Sequence, residues 1–271
     1  MSVVGKVGVE RPERSANQGR YVFICGTPRS GTTFLAGIFG QHPFLVMGVE
    51  RFKFHYSGRT LWPDLFQKER FFDLRPEDTS HREAIALPNV DEMRRKFDRC
   101  MMVGDKYPNI VRHLGWISER FDGPVFLFVL RNPVHVARSW AVRAANKNDR
   151  WPEKNDFAAG IGYWRDTLTH VVNARRAGLN VVLADYDLLV NAEADMVEGY
   201  LGHVLAELNL PWSDEVLDAL LARRRPGRDA SLDDVEAGVM RETLSSAQWE
   251  RFVRHFYDRG ELPDWAQGGA T

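Results

Sequence analysis

The stretch Tyr21–Gln41, YVFICGTPRSGTTFLAGIFGQ, constrains the fold more than any other part of the chain. An apolar run is followed by a loop bounded by Gly26 and Gly31, then by an apolar-periodic segment that reads as a helix. A strand, a glycine-rich turn and a helix in that order point backbone amides at whatever sits above the helix N-terminus, and phosphate oxygens suit that place. In the nucleoside-triphosphatase pattern G-x-x-x-x-G-K-S/T, a lysine beside the second glycine reaches the β- and γ-phosphates. Here Thr32 holds the lysine position and the loop's fixed cation is Arg29. An incidental Gly-Thr turn does not account for the glycine spacing, the two hydroxyls and the flanking elements together.

Bulk properties narrow the setting. A chain of 271 residues with 44% hydrophobic composition can bury a sizeable core. We read residues 20–271 as a single domain and residues 1–19 as a polar, mobile arm. A formal net charge of −1 argues against nucleic-acid binding driven by global charge and leaves room for a local basic pocket that takes a small anion. Cys25 and Cys100 are the only cysteines, which makes no disulfide framework and fits a reducing cytoplasm. No apolar run approaches the roughly 20 residues needed to span a bilayer.

Short apolar runs alternate with helical patterns, the signature of a mainly parallel sheet flanked by helices. Strands are expected at Tyr21–Cys25, Cys100–Val103, Val125–Leu130 and Asn180–Ala184. Helices are expected at Thr32–Gln41, Pro133–Ala145, Asp156–Ala177 and Glu193–Leu208, with Asn132-Pro133 and Gly178 as start and stop signals. Residues 51–97 break the pattern. They are dense in aromatics (Phe52, Phe54, Tyr56, Trp62, Phe66, Phe71, Phe72), charges and prolines without sustained periodicity. The segment reads as an insertion that shapes a binding site, or as aromatics sealing the core beneath long loops.

A second constellation lies in VFLFVLRNPVHVARSW. Arg131 follows an expected strand directly, where an anion can meet it. Ser139 lies about two helical turns further on and reaches the same ligand only along the helix flank. Together the two constellations resemble the sulfotransferases that use 3′-phosphoadenosine 5′-phosphosulfate, PAPS. The resemblance implies that a loop like TPRSGTT, through Arg29, Ser30, Gly31, Thr32 and Thr33, holds the 5′-phosphosulfate, and that Arg131 and Ser139 hold the 3′-phosphate. It also implies a P-loop-like, three-layer α/β fold. GDKYPN (Gly104–Asn109) and LADYDLL (Leu183–Leu189) are similar to further family segments, and Pro28–Thr33 followed by His42-Pro43 resembles the tyrosylprotein and bacterial carbohydrate branch most. A donor without a γ-phosphate needs neither the loop lysine nor Mg²⁺, so Thr32 fits this reading.

An acceptor hydroxyl needs a positioned base as its oxygen attacks. Glu50 stands at the distance from the loop arginine at which the tyrosylprotein branch carries its proposed catalytic glutamate. The competing reading is a surface carboxylate paired to Arg51 or Lys53. Lys106 resembles a family lysine near the bridging oxygen, or is a bystander at a strand end. His42, His55 and His135 read as packing or surface residues. The histidine base of the small-molecule branch has no counterpart in Lys106-Tyr107-Pro108. No metal-ligand spacing is present, and no metal is expected. Arg224, Arg225 and Arg228 in ARRRPGRD read either as a lid over the 3′-phosphate or as a solvated helix end.

The expected activity is therefore in-line sulfuryl transfer from PAPS to a hydroxyl-bearing acceptor, a sugar or glycolipid. The aromatic segment and Trp140–Trp151, with Arg143, Lys147 and Arg150, are expected to set its identity. Two rivals remain. One is a P-loop kinase using ATP and Mg²⁺, disfavoured by Thr32 and by the lack of an evident strand ending in a Walker-B-like aspartate. The other is a nucleotide-binding protein that has lost catalysis.

Overall fold

The computed structural model describes residues 21–225, 231–248, 250 and 251. The expected arm at residues 1–19 and the lid candidate Arg228 lie outside the described residues. Five strands, β1 (Tyr21–Gly26), β2 (Leu45–Val49), β3 (Met102–Lys106), β4 (Val125–Leu130) and β5 (Val181–Asp185), form one sheet in the order β2-β3-β1-β4-β5. Every pairing is parallel. Such a sheet needs cover on both faces, which explains why its strands read as continuous apolar runs.

Alternate residues of β1 serve the two faces. Tyr21, Phe23 and Cys25 join one core cluster, while Val22 and Ile24 join another with Leu35, Ile38 and Phe39 of the loop helix α1 (Thr32–Phe39). The first cluster takes in most of the aromatic segment. Six of its eight aromatics, Phe52, Tyr56, Phe66, Phe71, Phe72 and Phe97, are buried, and Phe54 and Trp62 are exposed. The result is the three-layer α/β arrangement expected.

Two strand expectations need correction. β2 was not expected at all, because LVMGV is short, glycine-containing and close behind a helix. Its Gly48 is required sterically, since a Cβ there would lie 2.8 Å from Arg51 Cβ. β3 runs to Lys106 rather than stopping at Val103. Pairing on both sides, with β1 and β2, carries Asp105 and Lys106 into the sheet although charges usually signal a strand's end. Every strand points its carboxyl end the same way, with β1 at the centre, β3 and β2 to one side and β4 and β5 to the other. The crevice above such a switch point is where open α/β sheets bind ligands.

Candidate active site

The glycine loop leaves β1 at Gly26 and turns back through a hydrogen bond from Ser30 N to Thr27 O (2.9 Å). Arg29 and Gly31 adopt left-handed backbone conformations, with φ of 79° and 97°. α1 then starts without any side-chain cap at Gly31, which leaves its first amides without an acceptor from that side chain. Thr27 Oγ1 and Ser30 Oγ are buried and unpartnered within the protein. Buried hydroxyls are nearly always paired, so an oxygen-rich anion lying in this loop supplies what they lack. Thr32 is buried and Thr33 is exposed at the helix start.

On the β4 side, Arg131 lies directly beyond the strand and donates from Nη1 to Arg29 O (3.0 Å). Its guanidinium stacks 4.5 Å over the Tyr186 ring. Asn132 caps the helix Pro133–Ala144 by accepting from Val134 N (2.9 Å). That helix presents two residues to the loop: Ser139 Oγ accepts from Arg29 Nε (3.0 Å), and Trp140 Nε1 donates to Pro28 O (2.8 Å). Ser139 therefore reaches the glycine loop despite its distance from the strand end. Partial burial and neighbouring Arg143 lower the pKa of Arg29, with Asp149 opposing them. The loop is thus walled by Arg131, Ser139, Trp140 and Tyr186.

On the β3 side, the turn after β2 brings Glu50 over the end of β3. Its amide donates to Lys106 O (2.6 Å) and its Oε1 accepts from Lys106 Nζ (3.1 Å). Oε2 lies 3.1 Å from His81 Nε2 and 3.4 Å from Lys53 Nζ. Burial presses the Glu50 carboxyl toward a higher pKa, but Lys106, Lys53 and His81 outweigh it and hold it below the usual range. Lys106 is almost fully buried, so the pair is shielded from solvent far more than a surface ion pair.

The turn is fixed from below. Asp105, fully buried, accepts from Arg51 N and Phe52 N (3.0 Å each) and from the Tyr56 hydroxyl (3.3 Å). An aspartate therefore does lie near the end of a strand beside β1, contrary to expectation. Its carboxylate faces these amides, and burial raises its pKa to about 6. Arg51 turns away from Glu50 and pairs with Asp78 (2.5 Å), which also holds Arg70 and His55.

The expected site residues thus fall into two groups on either flank of β1: Arg29, Arg131 and Ser139 on one, Glu50 and Lys106 on the other. His42 is a packing residue, bonded to Pro211 O and Phe44 N. His55 serves Asp78, and His135 lies 3.6 Å from Asp187. Arg224 donates to Ala192 O (2.7 Å), and Arg225 is exposed. Sequence reasoning missed His81, which carries no local signal, and Tyr186, whose signal was the LADYDLL segment. Among the described residues no helix is long and apolar enough to cross a membrane.

A model of the sulfotransferase family matches residues 21–214. A protein of Aquifex aeolicus (strain VF5), described as uncharacterized, is 23% identical over 258 residues, which is 87% of this chain. The chain spans about a third of that relative's length, 31%. Among solved structures, the sulfotransferase domain from the Synechococcus PCC 7002 olefin synthase aligns with a TM-score of 0.51 at 19% identity, covering 94% of this chain and 99% of that one. The sulfotransferase domain from the curacin biosynthetic pathway aligns with a TM-score of 0.51 at 15% identity, covering 92% and 95%. At these identities the likeness is one of fold.

Proposed function

This chain belongs to the sulfotransferase family, and on that premise we propose that it moves a sulfuryl group from PAPS to a hydroxyl of a sugar or glycolipid, with Glu50 as base. The observation that carries the proposal is the glycine loop on the central strand, with two buried unpartnered hydroxyls, flanked by a basic wall and by a Glu–Lys pair. PAPS, when bound, supplies an activated sulfuryl group on a phosphate leaving group.

In this reading Arg29, Ser30, Gly31, Thr32 and Thr33 hold the phosphosulfate through side chains and loop amides. Arg131 and Ser139 hold the 3′-phosphate. Donors arranged before the reaction meet charge as it develops on the non-bridging oxygens, the larger part of catalysis where there is little covalent work for the protein. Lys106 stabilises the departing oxygen. Turning toward it, Lys106 leaves Glu50, and the loss of that partner lets burial raise the carboxyl's proton affinity when a base is needed. Residues 51–97 form the acceptor side of a single domain, where exposed Phe54, four residues beyond Glu50, offers a face for a sugar ring. With both cysteines free, a reducing cytoplasm suits the chain.

Titration with adenosine 3′,5′-bisphosphate in the absence of metal, followed by transfer from labelled PAPS to a panel of sugars, glycolipids and phenols, tests this reading. Metal-independent binding and transfer to a sugar or glycolipid are expected. Binding of ATP–Mg²⁺ alone would overturn it. Equal transfer by native protein and Glu50→Gln would remove Glu50 from its role, and binding without transfer to any acceptor would leave only a nucleotide-binding protein.

A further inference from the structure

Glu50 has a partner on each carboxylate oxygen: Lys106 on Oε1 and His81 on Oε2, both at 3.1 Å. The second partner is unexplained by donor binding or by packing. The His81 side chain is 28% exposed, against 17% for Glu50 and 1% for Lys106, so the three form a graded path from the buried strand end to solvent. The contact is built from both sides. Arg51, next to Glu50, holds Asp78 through its guanidinium, and Asp78 opens the segment that carries His81. Thr79 Oγ1 accepts from His81 N (3.2 Å) within that segment. Two flexible surface side chains meeting by chance would lack such anchoring.

A carboxylate that takes a proton beside an imidazole does not keep it. An imidazole binds a proton more tightly than a carboxylate does, and Lys53, which stays beside Glu50 when Lys106 turns to the leaving oxygen, further favours the Glu50 anion. The charged groups that face His81 are Glu50 and, across it, Lys53 and Lys106. Asp78 on its own segment is already held by Arg51, Arg70 and His55.

We propose that His81 is the proton outlet of the transfer site, taking from Glu50 the proton that the acceptor hydroxyl gives up and releasing it to water. The proposal rests on Glu50 as base. As the acceptor oxygen bonds to sulfur, the sulfur–oxygen bond to the leaving phosphate breaks and the hydroxyl proton passes to Glu50. As Glu50 becomes protonated, the His81 imidazole with its hydrogen on Nδ1 takes that proton at Nε2, and the imidazolium then gives its Nδ1 proton to solvent. His81 acts through Glu50 and is a positioning and relay residue that does not touch the acceptor.

The test measures kcat and both KM values for His81→Ala and His81→Asn, with and without added imidazoles of graded basicity. Thermal unfolding and adenosine 3′,5′-bisphosphate binding serve as controls for folding. We expect kcat to fall about 10- to 100-fold, toward the lower range for general acid–base assistance, with KM values within about 3-fold. Added imidazole should restore His81→Ala in proportion to its basicity and leave Glu50→Gln inactive. Native kcat in both His81 variants, or a loss that imidazole basicity does not influence in a stable variant, overturns the outlet while Glu50 keeps its role. Native transfer by Glu50→Gln overturns the base assignment and the outlet with it.

Discussion

Replacing Gly31 with alanine should damage the loop for two separable reasons. The residue sits at φ 97°, ψ 13°, a conformation that costs an L-residue roughly 1–2 kcal/mol. A Cβ there would also overlap Cδ2 and Cε2 of Tyr186, and the ring cannot simply swing aside, because it stacks under Arg131 and meets Phe34 edge-on at 5.6 Å. Overpacking of this kind costs about 1–3 kcal/mol. The sum is a loss of about 2–5 kcal/mol, read as a lower urea midpoint with an unchanged slope. Tyr186→Ala removes only the steric part, so a double-mutant cycle should show a favourable coupling of about 1–3 kcal/mol between the two substitutions, while the backbone part persists in the double variant. Adenosine 3′,5′-bisphosphate affinity should fall in Gly31→Ala and recover only in part in the double variant. A Gly31→Ala protein within about 0.5 kcal/mol of native stability and with native affinity would refute the reasoning outright. Additive substitutions would show that Tyr186 is not the obstacle.

Other expectations follow from the two flanks. Asp105→Asn should leave one of the Arg51 and Phe52 amides without an acceptor, a loss of about 1–3 kcal/mol in urea unfolding. With its pKa raised from 3.8 to about 6 by burial, native Asp105 adds stability that is fully present below pH about 3.8 and is lost as pH rises through about 6. The unfolding free energy of the native protein relative to that of Asp105→Asn should therefore fall with rising pH across that window. Arg131→Ala should weaken adenosine 3′,5′-bisphosphate binding about 10- to 100-fold and Ser139→Ala by about 10-fold or less, as charged and neutral hydrogen bonds differ; calorimetric titration distinguishes them, and equal losses would contradict the assignment. Burial pushes the Cys25 thiol well above its ordinary pKa, so a thiol reagent should label Cys100 in the native protein and both cysteines only in urea.

The parts legible in the sequence are those whose signal is local. The glycine loop announces itself because turn, strand and helix are contiguous, and Arg131 because it abuts an apolar run. Arg29, Ser139 and Arg131 converge because a parallel sheet sets the ends of β1 and β4 side by side. Glu50 and Lys106 are 56 positions apart and become neighbours only through β2, whose five residues carried too little pattern to be recognised. His81 was hidden for a related reason. Its place is fixed by a buried pair, Arg51 and Asp78, and nothing local in the sequence marks either charge as buried. The aromatic segment kept two readings open until the tertiary structure decided which rings were covered.

The strand order also sets when the site can exist during synthesis. The loop is encoded early, yet β1 pairs only with strands made later: Tyr21 with Val103 and Val22 with Val125. A nascent chain that has not passed Leu130 carries every letter of GTPRSGTT without the walls that give it shape, and pairing across such separations is slow because the ends must first be brought together. A ligand of the loop can therefore stabilise only a chain extended past Tyr186, the last of its walls. Until then, the central strand is an exposed apolar segment that must be kept from other chains.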